Sequence, residues 1–185
     1  MNILIYILSC IYFFLPAYFT NMTPPLIKKA GIFSFLDKRV DLGRKFFGQD
    51  FLGPHKSWRG VISGIIVGIL VAFSQPYLYQ FSFIRKISLI DYQKVNIIFF
   101  GFLISSGAVF GDLFFAFIKR RLKLQPGARF LPFDQINYVF GAFFFLQPFL
   151  NLNYSIWLTI FILTFFLHLI FNRIGYLLSL HKAKW

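Results

Sequence analysis

The sequence predicts an all-α integral membrane protein with five transmembrane helices, two large cytoplasmic loops, the N-terminus outside and the C-terminus in the cytoplasm. Three observations carry this. Of 185 residues, 58% are hydrophobic and only 14% charged, with a mean hydropathy of +0.69; a water-soluble domain holds nearer a quarter charged residues, which excludes that class. The apolar residues gather in runs of about 20, the length that crosses a hydrocarbon core. The basic residues are shared very unequally between the connecting loops, and such a bias sets membrane orientation.

The first span covers about 3–20, with "ILIYILSCIYFFLPAYF" as its apolar part and Pro16 near its end. It is read as a real span rather than a signal peptide, because "MNI" has no basic start and no small-residue cleavage site follows. The second, "GVISGIIVGILVAFSQPYLYQ", covers 60–80, and the third, "VNIIFFGFLISSGAVFGDLFFAFI", covers 95–118 with Asp112 as its one interruption. From Gln135 to Asn172 no Lys, Arg, Asp or Glu occurs. That run is too long for one crossing, so "QPFLNLNY" becomes a turn between spans at 134–150 and 154–177. The cytoplasmic loops are then 21–59 and 119–133, with no separate soluble domain, and residues 1–185 form a single unit. Sixteen of the 19 Lys and Arg fall on the side of these loops and the tail (which adds Arg173, Lys182 and Lys184), leaving Arg85, Lys86 and Lys94 opposite. With Cys10 as the one cysteine, no internal disulfide can form.

The formal net charge is +13, and all six acids are aspartate. Such a surplus marks cytoplasmic loops, and it can also line an anionic-lipid or polyphosphate site; no nucleic-acid partner is expected. Gly60, Gly64, Gly68 and Ala72 recur every four residues, a ridge that lets helices approach closely. Asp112 shares a helix face with Ser105, Ala108, Ala116 and Lys119, and lies about 10 Å along the axis from Lys119. A carboxylate at that depth is costly and faces a bundle interior or a wet cavity. It is either an ion-pair partner of Lys119 or Arg120, or a metal ligand. Asp134 opens the next span, with Asn137, Tyr138 and Gly141 on its face. As a cap it would serve only its helix; converging with Asp112 amid Lys and Arg, it would suit Mg²⁺ and a polyphosphate, since Mg²⁺ takes few protein carboxylates plus substrate oxygens.

The first loop contains "DLGRKFFGQDFLGPHKSWRG" (41–60), whose glycines 43, 48, 53 and 60 interleave with Arg44, Lys45, Lys56 and Arg59, a pattern suited to wrapping an anion. It is not a P-loop, because "PH" intervenes before Lys56-Ser57. His55 stands alone there, without the partners of a metal site.

Together, "PAYFTNMTPP" (16–25), "DLGRKFFGQDFLGPHKSWRG" (41–60) and "GDLFFAFIKRRLKLQPGARFLPFDQINYVFGA" (111–142) resemble the CDP-archaeol synthase family, relatives of phosphatidate cytidylyltransferase. The resemblance implies a multi-pass enzyme of the cell membrane whose active site faces the cytoplasm. It would transfer CMP from CTP to a membrane lipid phosphate, archaetidic-acid-like or phosphatidate-like, releasing pyrophosphate with Mg²⁺. By resemblance, Asp112 and Asp134 match the metal positions and Lys119 and Arg120 the catalytic "KR" pair. Arg44, Lys56, Ser57, Arg59 and Arg121 become candidate CTP or phosphate ligands, and Asn21 and Asp41 further members of the quoted motifs. Two departures stand out: the "KD" that follows "KR" in phosphatidate enzymes is absent, and in "DQxD" the second acid is Asn137, which can orient a ligand but adds no charge. The implied partners are CTP, a lipid phosphate and the bilayer, with homo-oligomerisation left open. The rival readings are a CTP-dependent lipid kinase and a non-catalytic transporter or assembly subunit.

Overall fold

The computed structural model describes residues 2–177, with side chains to 174, so Lys182 and Lys184 of the charge balance lie outside the described residues. Six α-helices follow in order: α1 (Ile3–Ala30), α2 (Trp58–Leu78), a short α3 (Ser82–Lys86), α4 (Ile97–Arg121), α5 (Phe133–Leu150) and α6 (Tyr154–Leu177). The α1–α2 connection carries a 3₁₀ turn (Ser34–Leu36) and a two-stranded antiparallel hairpin, β1 (Lys45–Phe46) with β2 (Gln49–Asp50).

Among the described residues, four helices are long and apolar enough to cross a membrane: Ile3–Ala30, Trp58–Leu78, Ile97–Arg121 and Tyr154–Ile174. α5, the fourth expected span, is not among them, because Asp134, Gln135, Asn137 and Gln147 dilute its apolar character. Two of those polar residues, Asp134 and Asn137, line a cavity at the end of α4. α1 runs on past Pro16 to Ala30 instead of ending near Thr20. Pro16 has no N–H for the Tyr12 carbonyl, but Gln75 Nε2 of α2 donates to that carbonyl at 2.8 Å. A neighbouring helix thus satisfies the freed group, and the helix continues.

α1 is the hub, touching α2, α4, α5 and α6, while α4 packs most extensively along α5. Aromatic rings fill the centre: Phe13, Phe14, Phe100, Tyr138 and Trp157 are buried, with Phe14 stacked on Tyr138 and Phe13 edge-on to Trp157. Edge-to-face and offset pairs of this kind add to simple area burial. The Gly60–Gly64–Gly68–Ala72 ridge is buried against α1 and α4, where a Cβ on Gly64 would lie 3.0 Å from the Thr20 carbonyl.

The α4–α5 crossing is tighter still. A Cβ on Gly111 would run into the Asn137 carbonyl, one on Gly141 into the Gly107 carbonyl, and one on Gly107 would sit 2.8 Å from the Gly141 carbonyl. Only glycine permits backbone contact this close. The consequence is positional, because Asp112 follows Gly111 and is thereby set beside Asn137.

Candidate active site

Two adjoining cavities open at the end of the bundle where α4 finishes and α5 begins. The first, about 130 Å³, is lined by Asp112, Ala116, Lys119 and Arg120 of α4, Asp134 and Asn137 of α5, and Gly53 to Lys56 of the long connection. The second, about 310 Å³, lies between α1, α2 and α4, with Asn21, Lys28, Asp37, Ser57 and Asp112 on its wall. Pro54, His55, Lys56 and Asp112 belong to both, so one ion pair separates the two spaces.

That pair is Lys56–Asp112. Lys56 Nζ donates to both carboxylate oxygens, at 2.7 and 2.6 Å, and Asn137 Nδ2 donates to Oδ1 at 3.2 Å. The expected partners of Asp112, Lys119 and Arg120, are engaged elsewhere. Lys119 donates to the two oxygens of Asp134 at 2.8 and 2.9 Å and to the Ala128 carbonyl at 2.7 Å. Lys119 lies seven positions beyond Asp112 along α4, and it reaches onward to the α4–α5 loop and the start of α5. Asp134 does not cap α5, since Pro132 holds that position; it lies in the first turn and accepts the Phe130 N–H at 2.9 Å. Negative charge in a first turn also suits the helix dipole. Each carboxylate of the cavity is thus matched to its own lysine.

Arg120 is 7% exposed, yet the Gln125 carbonyl, at 3.2 Å from Nη2, is its hydrogen-bond partner, and its Nε has none. A buried guanidinium left with free donors lines the same wall as Lys56 and Lys119, and the cations of this cavity outnumber its carboxylates. The arrangement suits an anion with several oxygens.

Lys56 is aimed from a distance by Asp41. This buried carboxylate accepts hydrogen bonds from Arg39 (2.9 and 3.1 Å) and from the N–H groups of Gly43 (2.9 Å), Leu52 (2.9 Å) and Gly53 (3.1 Å). Burial alone would raise its pKa, but the Arg39 bond and the three backbone donors outweigh it and hold the carboxyl well below its usual range. The segment is closed by backbone bonds between Val40 and Lys56 and between Trp58 and Lys38, each 2.9 Å. Ser57 then caps α2, accepting the Gly60 N–H at 3.4 Å.

The remaining sequence candidates disperse. Arg59 is buried and paired with Asp37 at 2.8 Å, an acid on the second cavity's wall. Arg44 is exposed and borders neither cavity. Arg121 turns outward, bonding the carbonyls of Phe46, Gln49 and Asp50. The loop glycines serve separate turns, with Gly43 at φ 75° and Gly48 at φ 74°, and only Gly53 and Gly60 reach cavity walls. Lys28 borders the second cavity without having been singled out, and His55, set aside in the sequence as a lone imidazole, borders both; its place between Gly53 and Lys56 was the available signal.

Among the described residues no cluster of three His, Cys, Asp or Glu side chains could hold a metal ion. Two carboxylates on one polar cavity are nevertheless what a divalent cation takes when phosphate oxygens complete its shell. The donor set fits a cation that arrives with its phosphate.

Comparison with known proteins converges on one family. The model of the CarS-like CDP-archaeol synthase family matches residues 2–185. The CDP-archaeol synthase of Methanosarcina barkeri is 36% identical, with 92% of this chain and 99% of the relative covered. That of Thermococcus gammatolerans is 32% identical over 95% and 94%, and that of Methanococcus aeolicus 28% identical over the full length of both. A solved intramembrane enzyme for archaeal membrane lipid biosynthesis superposes with a TM-score of 0.71 at 22% identity, over 88% of this chain and 91% of that one. The same helical fold, the full-length family match and relatives more than 30% identical leave one assignment: this chain belongs to the CDP-archaeol synthase family.

Proposed function

We propose that the protein is a membrane CTP:lipid-phosphate cytidylyltransferase. An oxygen of the lipid phosphate attacks the α-phosphorus of CTP, a new P–O bond forms, the bond between the α- and β-phosphates breaks, and pyrophosphate leaves. The observation that carries this reading is the pairing of Asp112 and Asp134 with Lys56 and Lys119 around one cavity. It combines anionic positions for a cation with cations for phosphate. Little bond chemistry falls to the protein in such a transfer; positioning and charge neutralisation carry it.

Asp112 and Asp134 would hold Mg²⁺, with Asn137 orienting Asp112 through its amide; when bound, the ion neutralises the polyphosphate and polarises the α-phosphate. Lys56 releases Asp112 as the triphosphate enters and turns to the incoming phosphate oxygens. Lys119 and Arg120, with its spare donors, neutralise the departing pyrophosphate or the lipid phosphate. The second cavity, beside α1 and α2, supplies the other substrate's approach, with Asn21, Lys28 and Ser57 on its wall. This division lets a soluble nucleotide and a membrane-held phosphate meet at Asp112.

The same reading makes α5 a fifth crossing, sets the N-terminus outside and puts the site on the cytoplasmic side of the cell membrane. An archaetidic-acid-like ether lipid is the favoured acceptor, on the strength of the relatives' names. The test is the fate of label from CTP with purified protein and a panel of lipid phosphates. Label at the α-phosphate should appear in the lipid and label at the γ-phosphate in pyrophosphate. Transfer of the γ-label to lipid, with release of CDP, would make the protein a lipid kinase instead.

A further inference from the structure

Three bulky apolar residues of the α1–α2 connection are held in the left-handed region: Phe33 (φ 56°), Leu42 (φ 50°) and Phe47 (φ 48°). All three are exposed, at 47%, 68% and 87%. Side chains of this size avoid positive φ, where glycine or asparagine is the usual occupant. Phe47 is the sharpest case. With Gly48 it forms the two-residue turn of the β1–β2 hairpin, both at positive φ, where Asn-Gly is the favoured pair. Its ring meets Phe46, with centroids 4.5 Å apart, and is otherwise open. Neither turn chemistry nor core packing selects a phenylalanine here.

The hairpin's position supplies a reason. It is fastened to the last turns of α4, a helix long and apolar enough to span a membrane. Phe51 lies 4.9 Å and Phe46 6.2 Å from the Phe117 ring, and the Arg121 guanidinium covers both Phe46 (5.2 Å) and Phe117 (4.9 Å). Arg121 is the last residue of α4, and it also donates to the hairpin carbonyls of Phe46, Gln49 and Asp50. The hairpin therefore stands level with the end of α4, and where α4 crosses the bilayer this end lies at the membrane surface. Exposed Arg44 and Lys45 flank the aromatic tip, and exposed Lys123 follows α4.

We propose that this hairpin is an interfacial anchor: Phe47 enters the boundary between headgroups and acyl chains, and Arg44 and Lys45 engage anionic headgroups. An apolar ring rimmed by cations is the chemistry that recognises such a surface. The occupant is the bilayer around α4 rather than a second copy, because the hairpin is tied to the end of a membrane helix and carries the charge complementary to anionic lipid. Anchoring also steadies the connection that presents Lys56, since β2 leads within three residues to the Asp41-bound N–H groups of Leu52 and Gly53. The inference rests on α4 lying in the membrane and not on the reaction proposed above.

The test attaches an environment-sensitive fluorophore to Phe47→Cys in a Cys10→Ala background, in full-length protein reconstituted in phosphatidylglycerol–phosphatidylcholine vesicles. The same label on Lys38→Cys, also in the loop and exposed, is the reference. Anchoring predicts blue-shifted emission at position 47, several-fold stronger quenching by lipids brominated near the headgroup end of the chain, and weaker quenching by iodide than at position 38. Iodide quenching equal to that at position 38, with no effect of brominated lipid, overturns the proposal. So does shielding that vanishes when the protein is diluted in the bilayer, which would assign the tip to a second copy. Phe47 is exposed, so labelled protein keeps its fold, and wild-type helical circular dichroism identifies the sample to measure.

Discussion

Asp112→Asn separates a catalytic carboxylate from a structural one, because the substitution keeps size and the Asn137 contact while removing charge. The side chains of Lys56 and Asp112 are 26% and 34% exposed. Their pair therefore contributes less to folding than the roughly 3–5 kcal/mol lost when a fully buried pair is broken. Screening brings the expected loss to about 1–2 kcal/mol, a melting shift of only a few degrees in a chain of this size. Turnover should respond on another scale. Losing a ligand to the phosphate-bound cation forfeits about 3–5 kcal/mol of transition-state stabilisation, a fall of about 10²–10⁴-fold. The assay is steady-state CDP-lipid formation beside thermal unfolding in the same detergent, for Asp112→Asn, Lys56→Met and the pair together. Removing both partners of the ion pair should restore most of the lost stability, since no charge is left unmatched. It should not restore activity. Near-wild-type turnover in folded Asp112→Asn protein, or rescue of its turnover by Lys56→Met, would refute the catalytic assignment.

Gly111→Ala should destabilise by about 1–3 kcal/mol, read as a lowered melting temperature, because its Cβ meets the Asn137 carbonyl. Asn137→Asp replaces a donor 3.2 Å from Asp112 with a second carboxylate, so melting should fall in chelator and recover in excess Mg²⁺; a melting point indifferent to Mg²⁺ would place residue 137 outside any cation site. Asp41 has a depressed folded pKa, so its stabilising contribution is complete above its unfolded pKa of about 3.9 and is lost as pH falls below that value. Protease resistance of the loop should accordingly persist at pH 5 (roughly a unit above that pKa), whereas Asp41→Asn should weaken it at neutral pH.

The helices were legible because they depend on local composition: the starts of α2 and α4, and the break at residues 151–153 between α5 and α6, follow the apolar runs closely. α1 was not legible to its end, because its passage through Pro16 depends on Gln75, a residue of another helix. The two acids of the cavity could be picked out by the anomaly of charge in apolar surroundings. Their partners could not. Lys56 and Asp112 lie 56 residues apart, and the turns that bring them together hang on Asp41, whose role is visible only once Arg39, Leu52 and Gly53 surround it. The spacing of Arg44 and Arg121 in basic clusters looked like phosphate binding. Arg121 instead serves the hairpin, a two-residue-strand element too short to announce itself by periodicity.

The central claim is that Asp112 and Asp134 serve one site, and the coupling between their substitutions tests it most directly. Cytidylyl transfer should be measured at saturating CTP for Asp112→Asn, Asp134→Asn and the double variant, each verified as folded. Residues that act as a unit are strongly non-additive, so the double variant should be little slower than either single one. Losses that multiply would mean that the two carboxylates act independently, and would contradict a shared site.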